Sequence, residues 1–450
     1  MEQAGEAVPG PGYRRILQLA WPIMLANCST PLLGLSDTAV IGRSGTTAEL
    51  GAIALGALLF SFLYWGFGFL RMGTTGFAAR ADGEQDEAEV RASIQRALLL
   101  SLLLASGLLL LQRPLIDLAL ALFGASDSVE TLTADYFAWR IWGAPAALAL
   151  YALMGLFIGL GQTRWILLVQ LSLNGLNILL DILFAGVLGW GVRGIAIGTA
   201  LAEWLALLLA LMLALRLLRA RHQDGAPFLV WSRLRDGRRW RQTLTANGDI
   251  MLRTLLMLSA FAWFTNQGAR FGDVTLAANH VLLQFISFSA FFLDGYAHAV
   301  EPLVGRALGG RRLDILRAAA RRSTHLAAAT AMLLALAVLL AGGLAITGLT
   351  AIEAVRSEAE RYLPFAAAYV LLSFAAFQLD GIFIGAGWTR AMRNGSLAAV
   401  AAFLATAMML VPVLGNAGLW LAFIGYVVYR ALTLAAYLPI LLPQRAEGTA

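Results

Sequence analysis

Apolar residues recur along the chain in runs long enough to cross a bilayer, each closed by a short polar stretch. A helix rises about 1.5 Å per residue, so roughly 20 apolar residues cover about 30 Å of hydrocarbon. Twelve windows meet that requirement: 16–41, 50–73, 94–112, 133–160, 165–189, 194–218, 243–267, 275–304, 323–350, 360–385, 392–414 and 418–443. The one long interruption is 216–242, where His222, Asp224, Gly225, Pro227 and many arginines break the pattern. It reads as a solvated basic linker between an N-terminal six-helix lobe, 1–215, and a C-terminal one, 243–450. The expected fold is all-α and membrane-integral, with twelve transmembrane helices.

The two lobes repeat one another. GLFIGLGQTR at Gly155–Arg164 returns as GIFIGAGWTR at Gly381–Arg390, and the same separation links Ser61-Phe62 to Ser287-Phe288, Arg80 to Arg306, and Gly83 to Gly309. With six spans per copy, both copies enter the bilayer in the same sense, a parallel repeat about an axis along the membrane normal. The small-xxx-small glycines Gly155, Gly159, Gly381 and Gly385 read first as positions of close helix packing.

Composition agrees with the pattern: 59% of the residues are hydrophobic and 13% charged, with a mean hydropathy of +0.73, outside the range of soluble domains. The net charge of +6 reflects arginines in alternate short loops. The positive-inside rule therefore places both termini and the linker in the cytoplasm, and nucleic-acid binding is not expected. The chain has no lysine, which excludes a Walker A loop and a Schiff-base cofactor. Its single cysteine, Cys28, excludes an intrachain disulfide or a cysteine-cluster metal site and is expected to be a buried thiol. Residues before Tyr13 lack the apolar core and cleavage site of a signal peptide, so the first span is expected to be retained.

Ionisable residues inside a span cost about 2.5–3.5 kcal/mol on insertion scales, so each should face a partner or a cavity. Asp37 follows Pro22 and Pro31 in the first span, a helix these prolines should bend; it suits a coupling site or, alternatively, an end-cap. Asn174, Asn177 and Asp181 share one face of the fifth span, a hydrated or ion-binding face with no acidic counterpart in the second half, where Val400 and Ala407 stand. Gln284, Ser287, Phe291, Asp294, His298 and Glu301 form a polar stripe on the eighth span, suited to line a substrate cavity and hold protons. Asp380 adds a carboxylate in the tenth. Tyr64, Trp65, Trp263 and Phe264 could face flat cations or lipid.

At three segments the sequence resembles the multidrug and toxic compound extrusion (MATE) family, in its DinF branch: GLSDTAVIGRSGTTAELGAIALGA from Gly34, the stretch Asn174–Glu203, and FFLDGYAHAVEPLVGRALG from Phe291. The resemblance covers nearly the whole chain. It implies an exporter, not an enzyme, that takes up protons or sodium in exchange for organic cations and other amphiphiles, with no cofactor. It also implies a first-lobe coupling site at Asp37, Asn177, Asp181 and Thr199, and matches Asp380 to the family's span-10 acid. Span 7 offers only Thr265, Asn266 and Gln267 where some sodium-coupled branches carry an acid, which favours protons. Two other functions fit less well. A flippase for lipid-linked precursors would want a cationic groove, whereas Arg71, Arg253 and Arg430 read as few and scattered. An intramembrane prenyltransferase would want clustered carboxylates at an aqueous helix end, beyond the single N-x-x-x-D of Asn177 and Asp181.

Overall fold

The computed structural model describes residues 10–124, 126–222 and 227–441. The first nine residues, and Asp224 and Gly225 of the polar break, lie outside them. The helices are α1 (Tyr13–Ser29), α2 (Pro31–Ser44), α3 (Thr47–Gly66), α4 (Phe69–Gly83), α5 (Glu87–Leu110), α6 (Gln112–Phe123), α7 (Asp127–Arg140), α8 (Ala144–Gly159), α9 (Thr163–Asp181), α10 (Gly191–Arg221), α11 (Trp231–Leu234), α12 (Gly237–Ala269), α13 (Asp273–Gly309), α14 (Leu313–Leu349), α15 (Glu353–Ala386), α16 (Thr389–Leu414), α17 (Asn416–Ala435) and α18 (Leu438–Leu441). Among the described residues there is no strand.

Among the described residues, ten helical stretches are long and apolar enough to cross a membrane. The other two expected spans are present but impure. The first is divided at Thr30 between α1 and α2, because Pro31 lacks the N–H that would continue the ladder. The seventh lies in α12, with Arg253, Asn266 and Gln267 inside its apolar run. Leu110, Leu340, Leu344 and Val413 are 78% to 83% exposed. Apolar side chains on the outside mark a surface that faces lipid rather than water.

The chain forms two compact units: Leu25–Leu244 is one, and the residues on either side of it are the other. Each unit is built by the same packing device. In the first, α8 lies against α4, where a Cβ on Gly159 would stand 2.8 Å from the Thr75 carbonyl oxygen and one on Gly155 2.8 Å from the Thr74 side chain. In the second, α15 lies against α13, and Cβ atoms on Gly381 and Gly385 would run into the backbone oxygens of Ala297 and Glu301. The repeat extends to the turns. Six of the residues with positive φ pair off at the repeat separation: Gln85 (φ 58°) with Arg311 (55°), Gly161 (68°) with Gly387 (70°), and Gly189 (69°) with Gly415 (57°).

Two expectations need correction. The described part of the basic linker is not a solvated loop but docks on the α4–α5 corner. Arg221 pairs with Asp82 and, at 2.6 Å, with Glu87. Arg233 reaches Asp86 at 2.6 Å and Glu89 at 3.0 Å, and Arg239 reaches Glu89 at 2.8 Å. Burial pushes the Asp86 carboxyl up, but hydrogen bonds from Arg233 and the Glu89 amide outweigh this and hold it below its ordinary value. An acidic corner facing Arg221, Arg233 and Arg239 leaves little reason for the segment to stay in water. Cys28, expected to be buried, is half-buried, because it lies in the last turn of α1 where the helix breaks.

Candidate functional site: a buried carboxyl pair

The polar face of the fifth span is buried as a unit. Asn174, Asn177 and Asp181 of α9 are 4%, 1% and 0% exposed, so a face that spacing alone marks as polar is turned into the bundle. Each amide has a specific partner. Asn174 Nδ2 donates to Ser29 Oγ (2.7 Å), Gln170 Nε2 donates to Asn174 Oδ1 (3.1 Å), and Asn177 Nδ2 donates to Thr199 Oγ1 (2.9 Å). Thr199 in turn donates to the Ile195 carbonyl (2.9 Å). The structure thus brings Thr199 to this face. Gly198 makes room on α10, since a Cβ there would lie 2.7 Å from Asp181 Oδ1.

Asp37 is not an end-cap. It is buried within α2 and faces Asp181 closely enough for a proton on either carboxyl to bridge to the other. Both Asp181 oxygens, Asp37 Oδ1 and Asn177 Oδ1 are buried, and no cationic side chain among the described residues hydrogen-bonds either carboxyl. Directly after Asp181 the helix widens into a π-helical turn, Ile182–Val187. Such turns are rare and concentrate at functional sites; sequence periodicity gives no sign of this one.

A charge missed by the sequence reading stands beside this pair. Arg140, in the fourth span, forms a two-pronged ion pair with Glu203, Nη1 to Oε2 at 2.8 Å and Nη2 to Oε1 at 2.6 Å. It lies over the rings of Phe60 and Tyr64, 4.9 and 5.5 Å from their centroids, and its charge acts on both Asp37 and Asp181. The signal was there, an arginine inside an apolar window, but its partner lies 63 residues away. Of the aromatics suggested as cavity lining, Tyr64 belongs to this cluster, Phe264 is fully buried core, and Trp65 is exposed.

The second unit has a different centre. Asp380 of α15 accepts from Arg253 of α12 and Arg430 of α17 through the same oxygen, Oδ2. These arginines are therefore not scattered: helix packing brings them onto one carboxylate, and Asp380 is not a free acid. On α13 the expected stripe is graded rather than uniform. Gln284 and Ser287 are exposed, Phe291, Asp294 and His298 half-buried, and Glu301 buried. Gln284 contacts His280 at 3.2 Å, and His298 Nδ1 contacts the Asp294 carbonyl oxygen at 2.6 Å.

The MatE family model matches residues 22–183 and again 250–405, one stretch per repeat. The chain belongs to the MatE family. It is a polytopic member of a family of multidrug and toxic-compound efflux transporters. It is similar to DNA damage-inducible protein F of Escherichia coli K12, with 37% identity covering 94% of this chain and 91% of that protein. It is also similar to the probable multidrug resistance protein NorM of Xanthomonas axonopodis pv. citri, with 29% identity covering 84% and 81%. Among solved structures, a MOP superfamily transporter from Pyrococcus furiosus, described as having a binding pocket of reverse polarity, matches with a TM-score of 0.85 at 20% identity over 98% of this chain and 99% of that one. These matches agree with the twelve-helix, two-lobe fold.

Proposed function

We propose that this MatE-family chain is a cation-coupled antiporter, with protons as the coupling ion, that exports small amphiphilic molecules across a bacterial inner membrane by alternating access. The observation that carries the reading is the Asp37–Asp181 pair, buried, facing, and without a hydrogen-bonded cation. Two carboxylates sharing a site do not both stay ionised, so the pair is built to hold a cation and to release it when the site opens to water. The Arg140 charge acting on both carboxyls disfavours a second cation beyond one proton. Asn177, on the same α9 face as Asp181, is held in place by Thr199 of α10. The energetics suffice: one charge crossing about 100 mV supplies about 2.3 kcal/mol, against about 1.4 kcal/mol per tenfold substrate gradient.

Substrate contacts belong to the second unit in this reading, at Gln284, Asp294, His298 and Glu301. The arginine distribution supports cytoplasmic termini. The test is dye efflux from proteoliposomes under separately imposed proton and sodium gradients, comparing the natural chain with Asp181→Asn. Efflux should follow the pH gradient and vanish in the variant, which still inserts because the substitution removes a costly buried charge. Efflux driven by sodium alone would refute proton coupling, and pH-driven efflux by Asp181→Asn would refute the site.

A further inference from the structure

We infer that Arg253, Arg430 and Asp380 form a binding site in the second unit for the anionic group of an amphiphile. The inference rests on the transport reading and deepens it by naming a substrate class. It begins with charge. Arginine stays protonated in proteins, so two guanidiniums on one carboxylate leave one positive charge in excess, between helices α12, α15 and α17. Among the described residues, Asp380 is the only side chain with which either arginine forms an ion pair or hydrogen bond. Each guanidinium carries five N–H donors in a planar fork, and each uses one Nη2 on Asp380 Oδ2. The donors left over suit a planar or tetrahedral oxyanion, which forked arginines recognise in preference to a point charge.

The fold itself does not require this group. At the repeat separation, Arg253, Asp380 and Arg430 correspond to Asn27, Met154 and Trp204. Yet α8 packs on α4 through Gly155 and Gly159 as α15 packs on α13 through Gly381 and Gly385. The first half makes the same helix contact without these three residues, so the glycine packing does not depend on them. Apolar company is at hand: Arg430 lies 5.8 Å from the Tyr426 ring centroid, and Tyr369 stacks on Phe423 nearby. An acid at span 10 suggests a cation site by sequence alone; with two arginines clamped on it, the site has the opposite sign.

The experiment compares two probes that differ in the sign of their charge, 2-naphthalenesulfonate and 2-naphthyltrimethylammonium. Equilibrium binding is measured on the full chain in nanodiscs of zwitterionic lipid, without any gradient, so that a failure of coupling cannot disturb it. The natural chain should bind the sulfonate at least tenfold more tightly than the ammonium. Arg253→Gln and Arg430→Gln should each reduce sulfonate affinity at least tenfold, leave ammonium affinity no weaker, and Arg253→Lys should recover part of the loss. No preference for the sulfonate in the natural chain, which needs no variant to fold, would overturn the site. So would unchanged sulfonate affinity in correctly folded glutamine variants.

Discussion

Replacing Arg140 by methionine removes one member of a buried ion pair and leaves the other in place. Glu203 is 6% exposed, and both of its carboxylate oxygens are bonded by Arg140. Breaking a buried pair by deleting one partner costs about 3–5 kcal/mol, whereas replacing both by apolar groups of similar volume is often neutral or better. Arg140→Met should therefore be destabilised by about 3–5 kcal/mol, and Arg140→Met/Glu203→Leu should regain most of it. At about 2–4 °C per kcal/mol for a unit of this size, the single variant melts roughly 10 °C below the double. Fluorescence-detected unfolding in one detergent reads the difference. Transport separates the remaining role. With the Arg140 charge gone from beside Asp37 and Asp181, the double variant should be stable yet slow in pH-driven efflux. Equal melting of single and double variants would refute the buried-pair energetics, and full efflux by the double variant would remove Arg140 from the proposed coupling site.

Glycine substitutions test the repeat. Gly155→Ala and Gly381→Ala should each lower stability by about 1–3 kcal/mol through overpacking against the neighbouring helix, while Gly107→Ala, with nothing within 4 Å of the new Cβ, should be neutral or gain up to about 1 kcal/mol; thermal melts of purified variants decide. For topology, a cysteine at Asp224 in a Cys28→Ser background should resist an impermeant thiol reagent in intact cells and label after permeabilisation. Labelling of intact cells would place the linker outside.

The sequence shows what local spacing controls. Span length follows from runs of apolar residues, and the inward face of α9 follows from the three- and four-residue steps between Asn174, Asn177 and Asp181. The glycine contacts of α8 and α15 were legible because the repeat printed them twice. What escaped was long-range. Arg140 meets Glu203, and Arg253 and Arg430 meet Asp380, across separations of 50 to 127 residues, which only helix packing determines. The same holds for the linker, whose arginines look solvated until the acidic corner at Asp82, Asp86, Glu87 and Glu89 is placed opposite them. The π-helical turn after Asp181 has no signature in hydrophobic period at all.

The coincidence of left-handed residues at matching turns, against the mismatch of charged residues inside the spans, bears on how such a chain can change. Arg140, Asn177 and Asp181 stand opposite Ala366, Phe403 and Ala407 in the other copy, and Asp380 stands opposite Met154. The turns and glycine contacts are held in common by both copies, while these ionisable groups are private to one. A charge inside a span can therefore differ between the copies without altering the turns and glycine contacts they share. Under the proposed reading, the anion site of α12, α15 and α17 and the carboxyl pair of α2 and α9 can then be altered one at a time within a frame that both copies share.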